Sequence, residues 1–118
     1  MSSHRVRITR VYDDATPADG TRVLVDRLWP RGLRKDEAVI DLWLKDVAPS
    51  AALRRWYGHD PAKHSLFVKR YRVELRDAEH AQAFAKLESL ASSGPLTLVT
   101  ATKDLDLSQA AVLAAELS

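Results

Sequence analysis

The sequence predicts an α/β domain: a small, mostly parallel sheet of about four strands flanked by helices. Short apolar or alternating runs, typical of strands, occur at residues 6–11, 23–25, 40–44 and 96–101. Stretches with apolar residues three or four positions apart, typical of amphipathic helices, lie between the last two runs and after the last one. Strands interleaved with helices favour a parallel sheet.

Composition narrows the class of protein. The chain has 118 residues and 46% hydrophobic content, which suits one globular domain over residues 1–118. It contains no cysteine, so disulfides, thiolate nucleophiles and cysteine metal sites are excluded. No apolar run approaches the roughly 20 residues of a membrane span, and the start lacks the apolar core of a signal peptide. We therefore expect a cytoplasmic protein without a membrane partner.

The first half of the chain is predicted to be strands and loops. Residues 6–11 nearly alternate apolar and basic side chains, which indicates a half-exposed strand. Residues 13–20 (DDATPADG) are rich in turn formers and predict a loop. The apolar run 23–25 predicts a buried strand, which Pro30 and Gly32 would end.

Residues 33–38 permit a short helical turn before the next element. The alternation at residues 40–44 favours a third strand, although a helix through Val39, Leu42 and Trp43 fits the same residues.

Capping residues mark the predicted helices. Ser50, Asp60 and Asp77 are good N-caps, and Pro61 suits a first helical position. Gly58 suits the end of the first helix. The apolar stripes are Leu53, Trp56 and Tyr57, then Phe67, Tyr71 and Leu75, then Ala83, Phe84, Leu87 and Leu90, and in a last helix Ala110, Leu113, Ala114 and Leu117.

Charged, polar and aromatic side chains lie at the carboxyl ends of the predicted strands, where ligands of open parallel sheets bind. We expect these groups to share one rim and one hollow. They are Asp26, Arg27, Trp29 and Arg31 after the second strand, Lys45 and Asp46 after the third, and Thr100, Thr102, Lys103 and Asp104 after the last.

These residue types suit an anionic ligand. Arg31, with Arg27 beside it, would hold the anion through its fork of donors, and Lys103 would add a point charge. Gly32 would let the backbone approach the ligand, and Trp29 would form a wall. Asp26 would orient Arg31 or act as a base. The alternative is that Asp26 pairs with a cation only to neutralise a structural cluster.

Asp104 is a further carboxylate for the catalytic set, and His59 is a weaker candidate for a general base. The simpler explanation for His59 is a loop residue before the helix that Asp60 caps. The remaining histidines, His4, His64 and His80, have no metal-ligand spacing, so no metal site is predicted.

Four stretches of the chain match a known pattern: RVLVDRLWPRGLRKDEA, DLWLKDVAPSAALRRWYGHDP, FVKRYRVEL and GPLTLVTATKD. With them the chain closely resembles the DUF488 family, in its YeaO-like group of small bacterial proteins. The resemblance covers nearly the whole chain. It implies a compact α/β domain of the bacterial cytoplasm, and it implies no particular reaction or cofactor.

The characteristic positions of that family overlap the rim group described above, with one departure. Similar proteins follow the Lys-Asp pair with acidic residues and a His-Asn segment, whereas this chain has Ser108-Gln109 in that region. An alcohol or an amide cannot shuttle a proton as an imidazole does. The resemblance thus implies a lost step or a different use of Ser108 and Gln109.

Three functions fit the sequence. The first is a domain that binds a small anion, such as a nucleotide or phosphorylated metabolite, with possible hydrolase or transferase activity. The second is a nucleic-acid accessory protein that uses the basic residues Arg54, Arg55, Lys69, Arg72 and Arg76. The third is a non-catalytic interaction module with an apolar patch at Trp43, Trp56 or Tyr57. We favour the first, and the cofactor and oligomeric state stay unknown.

Overall fold

The sheet of the protein is entirely parallel. A computed structural model describes residues 6–118. Its strands are β1 (Val6–Arg10), β2 (Thr21–Leu24), β3 (Leu42–Trp43) and β4 (Leu96–Thr100), arranged in the order β1-β4-β2-β3. Every neighbouring pair is parallel, which confirms the predicted α/β fold class.

Four helices accompany the strands: α1 (Ala51–Tyr57), α2 (His64–Glu74), α3 (Ala78–Ser93) and α4 (Gln109–Leu117). Three of them lie between β3 and β4, as the apolar stripes predict. Within residues 6–118, none of the helices has the length and apolar character that a membrane crossing requires.

The predicted caps are confirmed. The Ser50 hydroxyl accepts a hydrogen bond from the Leu53 amide at the start of α1, and the Asp77 carboxylate accepts one from the His80 amide at the start of α3. Asp60 caps the 3₁₀ turn Pro61–Lys63, which leads directly into α2. These caps are local contacts, so the sequence alone specifies where the helices begin.

The third strand is shorter than predicted. Only Leu42–Trp43 pair with β2, because a 3₁₀ turn at Lys45–Val47 follows at once. The backbone still continues the pairing on both sides, since the Asp41 amide donates to the Arg22 carbonyl and the Leu44 amide donates to that of Leu24. The strand interpretation of residues 40–44 is therefore correct in kind, and the helical alternative is wrong.

The two faces of the sheet are covered differently. The larger buried cluster joins Val23, Leu96 and Leu98 to buried residues of all four helices. The smaller cluster, around Leu24 and Val99, contains no helical residue and is covered by the loop side chains Trp29, Leu33 and Ile40 together with Trp43 of β3. The long connection after β2 therefore covers this second face of the sheet in place of helices. The first residues of that connection lie at the carboxyl end of the sheet.

Gly20 is a position where only glycine fits. Its φ is +63°, and a Cβ there would lie 2.2 Å from the Pro95 carbonyl oxygen, which also accepts the Thr21 amide at the start of β2. We expect Gly20→Ala to lower the free energy of unfolding by about 2–5 kcal/mol, from left-handed strain plus the clash.

Gly32→Ala is the matched control, because Gly32 has φ +78° but no atom within 4 Å of its added Cβ. Gly32→Ala should lower the free energy of unfolding only by the strain of the left-handed backbone, about 1–2 kcal/mol. Urea unfolding of both variants measures the difference, and equal losses would show that the Pro95 contact is not the constraint.

Candidate functional site

A hollow of about 380 Å³ opens beyond the carboxyl ends of β2 and β4. Its polar lining includes Asp26, Arg27, Arg31, Arg54, His59, Thr102 and Gln109. Its apolar wall includes Trp29, Pro30, Pro49 and Phe67. The volume is within the range of small-molecule sites. We call this hollow the Asp26 pocket.

The Asp26 carboxylate is held by uncharged donors. It accepts hydrogen bonds from the Thr100 hydroxyl (2.7 Å), the Ala101 amide (2.8 Å) and the Gln109 side-chain amide (2.6 Å). Among residues 6–118, no cation lies within ion-pair distance of Asp26. Burial raises the pKa of Asp26 above its ordinary value, although the hydrogen bonds oppose that rise. The structure therefore does not pair Asp26 with Arg31.

The pocket holds cations that no carboxylate neutralises. Arg27 lies 3.6 Å from Asp46, but Arg31 and Arg54 have no ion pair among the described residues. Asp26 is the single carboxylate of the lining, and the charge of Arg54 is the smallest of the effects that oppose the rise in its pKa caused by burial. The pocket thus presents two free guanidinium groups beside one largely buried acid.

Arg54 was not expected in the pocket, because the sequence places it in a basic patch with Arg55. It lines the pocket because positions 54, 57 and 58 lie together on one side of the end of α1, and Tyr57 and Gly58 line the same hollow. The spacing of three residues between Arg54 and Tyr57 on the predicted helix is the signal that could have found it.

His59 lies in the pocket lining in a strained conformation. Its φ is +54°, and it is the only non-glycine residue with positive φ in the part of the chain that the structure describes. The left-handed conformation costs roughly 1–2 kcal/mol for a side chain of this kind. The ring meets the Tyr57 ring edge-on at 5.7 Å. Strain of this kind clusters at functional sites, which adds weight to His59 as a site residue.

Two tryptophans fix the loop that forms one wall. The Trp29 indole donates to the Leu33 carbonyl (2.6 Å), and the Trp43 indole donates to the backbone carbonyl of Asp26 (2.8 Å). Their rings meet edge-on at 5.5 Å. Trp29 therefore holds the wall in place as well as lining it.

The expected single hollow is divided. Lys103 and Asp104 line a second hollow, and neither lines the Asp26 pocket. Asp104 instead caps the 3₁₀ turn Leu105–Leu107, where it accepts the Asp106 amide at 3.1 Å. Gly32 also lies outside the pocket, where its positive φ serves the turn after Pro30.

Ser108 and Gln109, which the resemblance marks as altered, both have structural contacts. The Ser108 hydroxyl caps α4 by accepting the Ala111 amide, and Ser108 is fully buried. Gln109 is the first residue of α4 and donates to Asp26. The position that the resemblance marks as altered thus supplies one of the three donors to the pocket carboxylate.

Residues of the other two predicted functions have contacts within the protein. Arg72 pairs with Glu116 at 2.8 Å, and the ring of Trp56 has the Arg70 guanidinium 4.2 Å from its centre. Tyr57 is buried, so it is not part of an exposed apolar patch. Within residues 6–118, no group of three or more histidine and acidic side chains is placed to hold a metal ion, and His4 lies outside the described residues.

The segment before α1 is fixed by α2 and α3. The Tyr71 hydroxyl donates to the Val47 carbonyl, and Glu74 accepts from the amide and hydroxyl of Ser50. His80 bonds the Ala48 carbonyl at 2.9 Å. These contacts hold Pro49, a wall of the pocket, and the start of the helix that carries Arg54.

Both ring nitrogens of His80 face acceptors, because Nδ1 lies 2.8 Å from the Asp77 carboxylate and Nε2 lies 2.9 Å from the Ala48 carbonyl. The hydrogen bond from the His80 backbone amide lowers the pKa of Asp77 most, and the bond with the His80 ring lowers it further. The Asp77 carboxylate is therefore ionised. The His80 ring therefore joins the start of α3 to the segment before α1.

We expect His80→Ala to lower the free energy of unfolding by about 1–3 kcal/mol, because the buried Ala48 carbonyl loses its donor. Lys86→Ala, on the exposed side of α3, is the control and should have little effect. Urea unfolding of both variants measures the difference, and equal stability of the two variants would contradict the role of this contact.

The raised pKa of Asp26 predicts a specific pH dependence. The folded state holds that proton more tightly than the unfolded state does, so its contribution to stability is complete below the ordinary value of 3.8 and is lost as pH rises through the raised pKa. Relative to Asp26→Asn, the wild type should lose stability over that interval. Urea unfolding at a series of pH values measures it, and a pH-independent difference between the two proteins would contradict it.

The chain is similar to uncharacterised bacterial proteins over most of its length. No solved structure matches the chain. It is 51% identical to an uncharacterised protein of Mycobacterium tuberculosis over 110 residues, which is 93% of this chain and 91% of the relative. It is 39% identical to the uncharacterised protein YeaO of Escherichia coli over 109 residues, 92% of this chain and 93% of that protein. Residues 5–118 match the family model described as the inactive DUF488-N3 subclade, and the chain therefore belongs to the DUF488 family.

Proposed function

We propose that the protein binds a small anionic ligand with an apolar or aromatic portion in the Asp26 pocket, without chemical turnover. The observation that carries the proposal is the pair of unneutralised guanidinium groups, Arg31 and Arg54, on one hollow with a single carboxylate. A guanidinium fork suits a phosphate or carboxylate.

The apolar wall supports the second part of the ligand class. Trp29, Pro30, Pro49 and Phe67 form much of the lining, and Leu28 beside them is 71% exposed. A bare inorganic ion would leave this wall in contact with water. A nucleotide or an aromatic phosphate would cover it while placing its anionic group on the arginines.

Two observations support binding without turnover. The oxygen atoms of Asp26 already accept three hydrogen bonds from neutral groups, which leaves little of the carboxylate free to act as a base. The matching family model is described as inactive. Asp104, the other predicted catalytic carboxylate, lines a different hollow, so His59 and Asp26 are the remaining acid–base groups of the pocket.

The test uses nucleoside monophosphates and aryl phosphates, each beside its phosphate-free counterpart, in calorimetric titrations. The phosphorylated compounds should bind, and Arg31→Gln and Arg54→Gln should each weaken binding about 10- to 100-fold, as expected for a charged hydrogen bond. Arg55→Gln is the matched control, since Arg55 is the exposed neighbour of Arg54 on α1 but does not line the pocket. Binding that is equal in all variants, or no binding of any phosphorylated compound, would refute the proposal.

A further inference from the structure

The helix α2 presents an apolar ridge to solvent. Leu66 and Val73 are 50% and 66% exposed, and their spacing of seven residues places them on the same side of the helix. The other exposed large apolar side chains in the part of the chain that the structure describes are Tyr12, Leu28 and Val39, which all lie in loops. Among the described residues, the ridge is therefore the one place where a helix aligns such side chains.

The contacts on either side of the ridge show that it faces outward. On one side, the Arg70 guanidinium lies over the Trp56 ring of α1, 4.2 Å from its centre. On the other side, Arg72 pairs with Glu116 of α4 at 2.8 Å. The ridge lies between these two neighbouring helices, and its exposure shows that neither of them covers it.

Cations border the ridge on both sides. Lys69 and Arg70 each stand three or four positions from both ridge residues, and both are exposed. Arg76, just beyond the end of the helix, is exposed as well. None of these three forms an ion pair among the described residues. The Lys63 ammonium, just before the helix, lies 5.3 Å from the centre of the Trp56 ring.

The acids nearest to these cations along the chain are engaged elsewhere. Glu74, the one acid of α2, is half-buried and accepts from the amide and the hydroxyl of Ser50. Asp77 accepts from the amide of His80 and lies 2.8 Å from a nitrogen of its ring. The surface around the ridge is therefore positive as well as apolar.

We propose that this surface docks an acidic amphipathic helix of a partner protein, whose apolar side chains cover Leu66 and Val73 and whose carboxylates meet the cations. An apolar centre within a polar rim is the usual anatomy of a protein interface. Charge complementarity makes the partner acidic. We call this surface the α2 face, and it consists of Trp56, Lys63, Leu66, Lys69, Arg70 and Val73.

Other occupants suit the α2 face less well. A nucleic acid would meet the cations, but its phosphates would leave Leu66 and Val73 in water. The Trp56 ring, which could stack on a base, already has a guanidinium against it. A second copy of the chain, docked symmetrically through the same face, would bring cations against cations.

The α2 face does not depend on the proposed function, because it shares no residue with the lining of the Asp26 pocket. Ligand binding in the pocket and partner docking on α2 can therefore be lost separately by substitution.

The test is fluorescence anisotropy with a labelled synthetic peptide of about 20 residues, long enough to form a helix. Its leucines recur three and four positions apart, glutamates flank them, and alanines fill the other positions. The peptide should bind at low ionic strength and bind less as salt is added. Leu66→Ser combined with Val73→Ser should weaken binding about 10- to 100-fold, because the ridge is lost. Lys69→Gln combined with Arg70→Gln should weaken it about fivefold.

Val39→Ser is the matched control for the apolar change, since Val39 is 57% exposed but lies outside the α2 face. Lys86→Gln, on the exposed side of α3, is the control for charge. Both control variants should bind the peptide as the wild type does. A second control is the same peptide with serine in place of leucine, which should bind at least tenfold more weakly.

The proposal is overturned if the peptide does not bind the wild type, or if the double serine variant binds it equally well. It is also overturned if duplex DNA of about 20 base pairs displaces the peptide at a lower concentration than unlabelled peptide does, because the surface would then suit nucleic acid better. A wild-type dimer in sedimentation that the double serine variant lacks would overturn it as well, because a second copy would then cover the ridge.

Discussion

The carboxylate of Asp26 is the contact on which the carboxyl rim depends. It follows β2, and its oxygen atoms accept from Thr100 and Ala101 at the end of β4 and from Gln109 at the start of α4. One side chain thus joins three elements that are distant in sequence, next to a backbone carbonyl that accepts from Trp43 of β3. A buried acid with fewer partners would be an unpaired polar group in the sheet, and its full set of donors is what makes the position stable.

The choice of uncharged donors has an electrostatic consequence. If an arginine neutralised Asp26, the pocket would lose both a cation and its acid, and little charge would remain for a ligand. Because a hydroxyl and two amides satisfy the acid instead, the guanidinium groups of Arg31 and Arg54 keep their full charge beside an apolar wall. The same contacts that stabilise the rim therefore leave it electropositive.

Sequence patterns predict what is local in this fold. The caps Ser50 and Asp77 specify where helices begin, because each side chain accepts a hydrogen bond from the amide three residues further along the chain. The apolar runs specify the strands. The site is less predictable, because its composition depends on where the chain turns after each strand. Arg54 lines the pocket from the end of α1, whereas Lys103, which follows β4, lines the other hollow. The periodicity from which the elements are predicted specifies neither of these positions.

The packing of the helices on one face of the sheet explains why the backbone is strained at His59. All the helices pack on one face of the sheet, so the connection from α1 to α2 must reverse beside the rim within the few residues before Pro61. Gly58 and His59 make that reversal with consecutive positive φ values, and only the first is glycine. A glycine at position 59 would adopt this conformation without the cost, so the imidazole is present despite its backbone. Its place in the lining of the Asp26 pocket is the physical reason that the structure offers for keeping it.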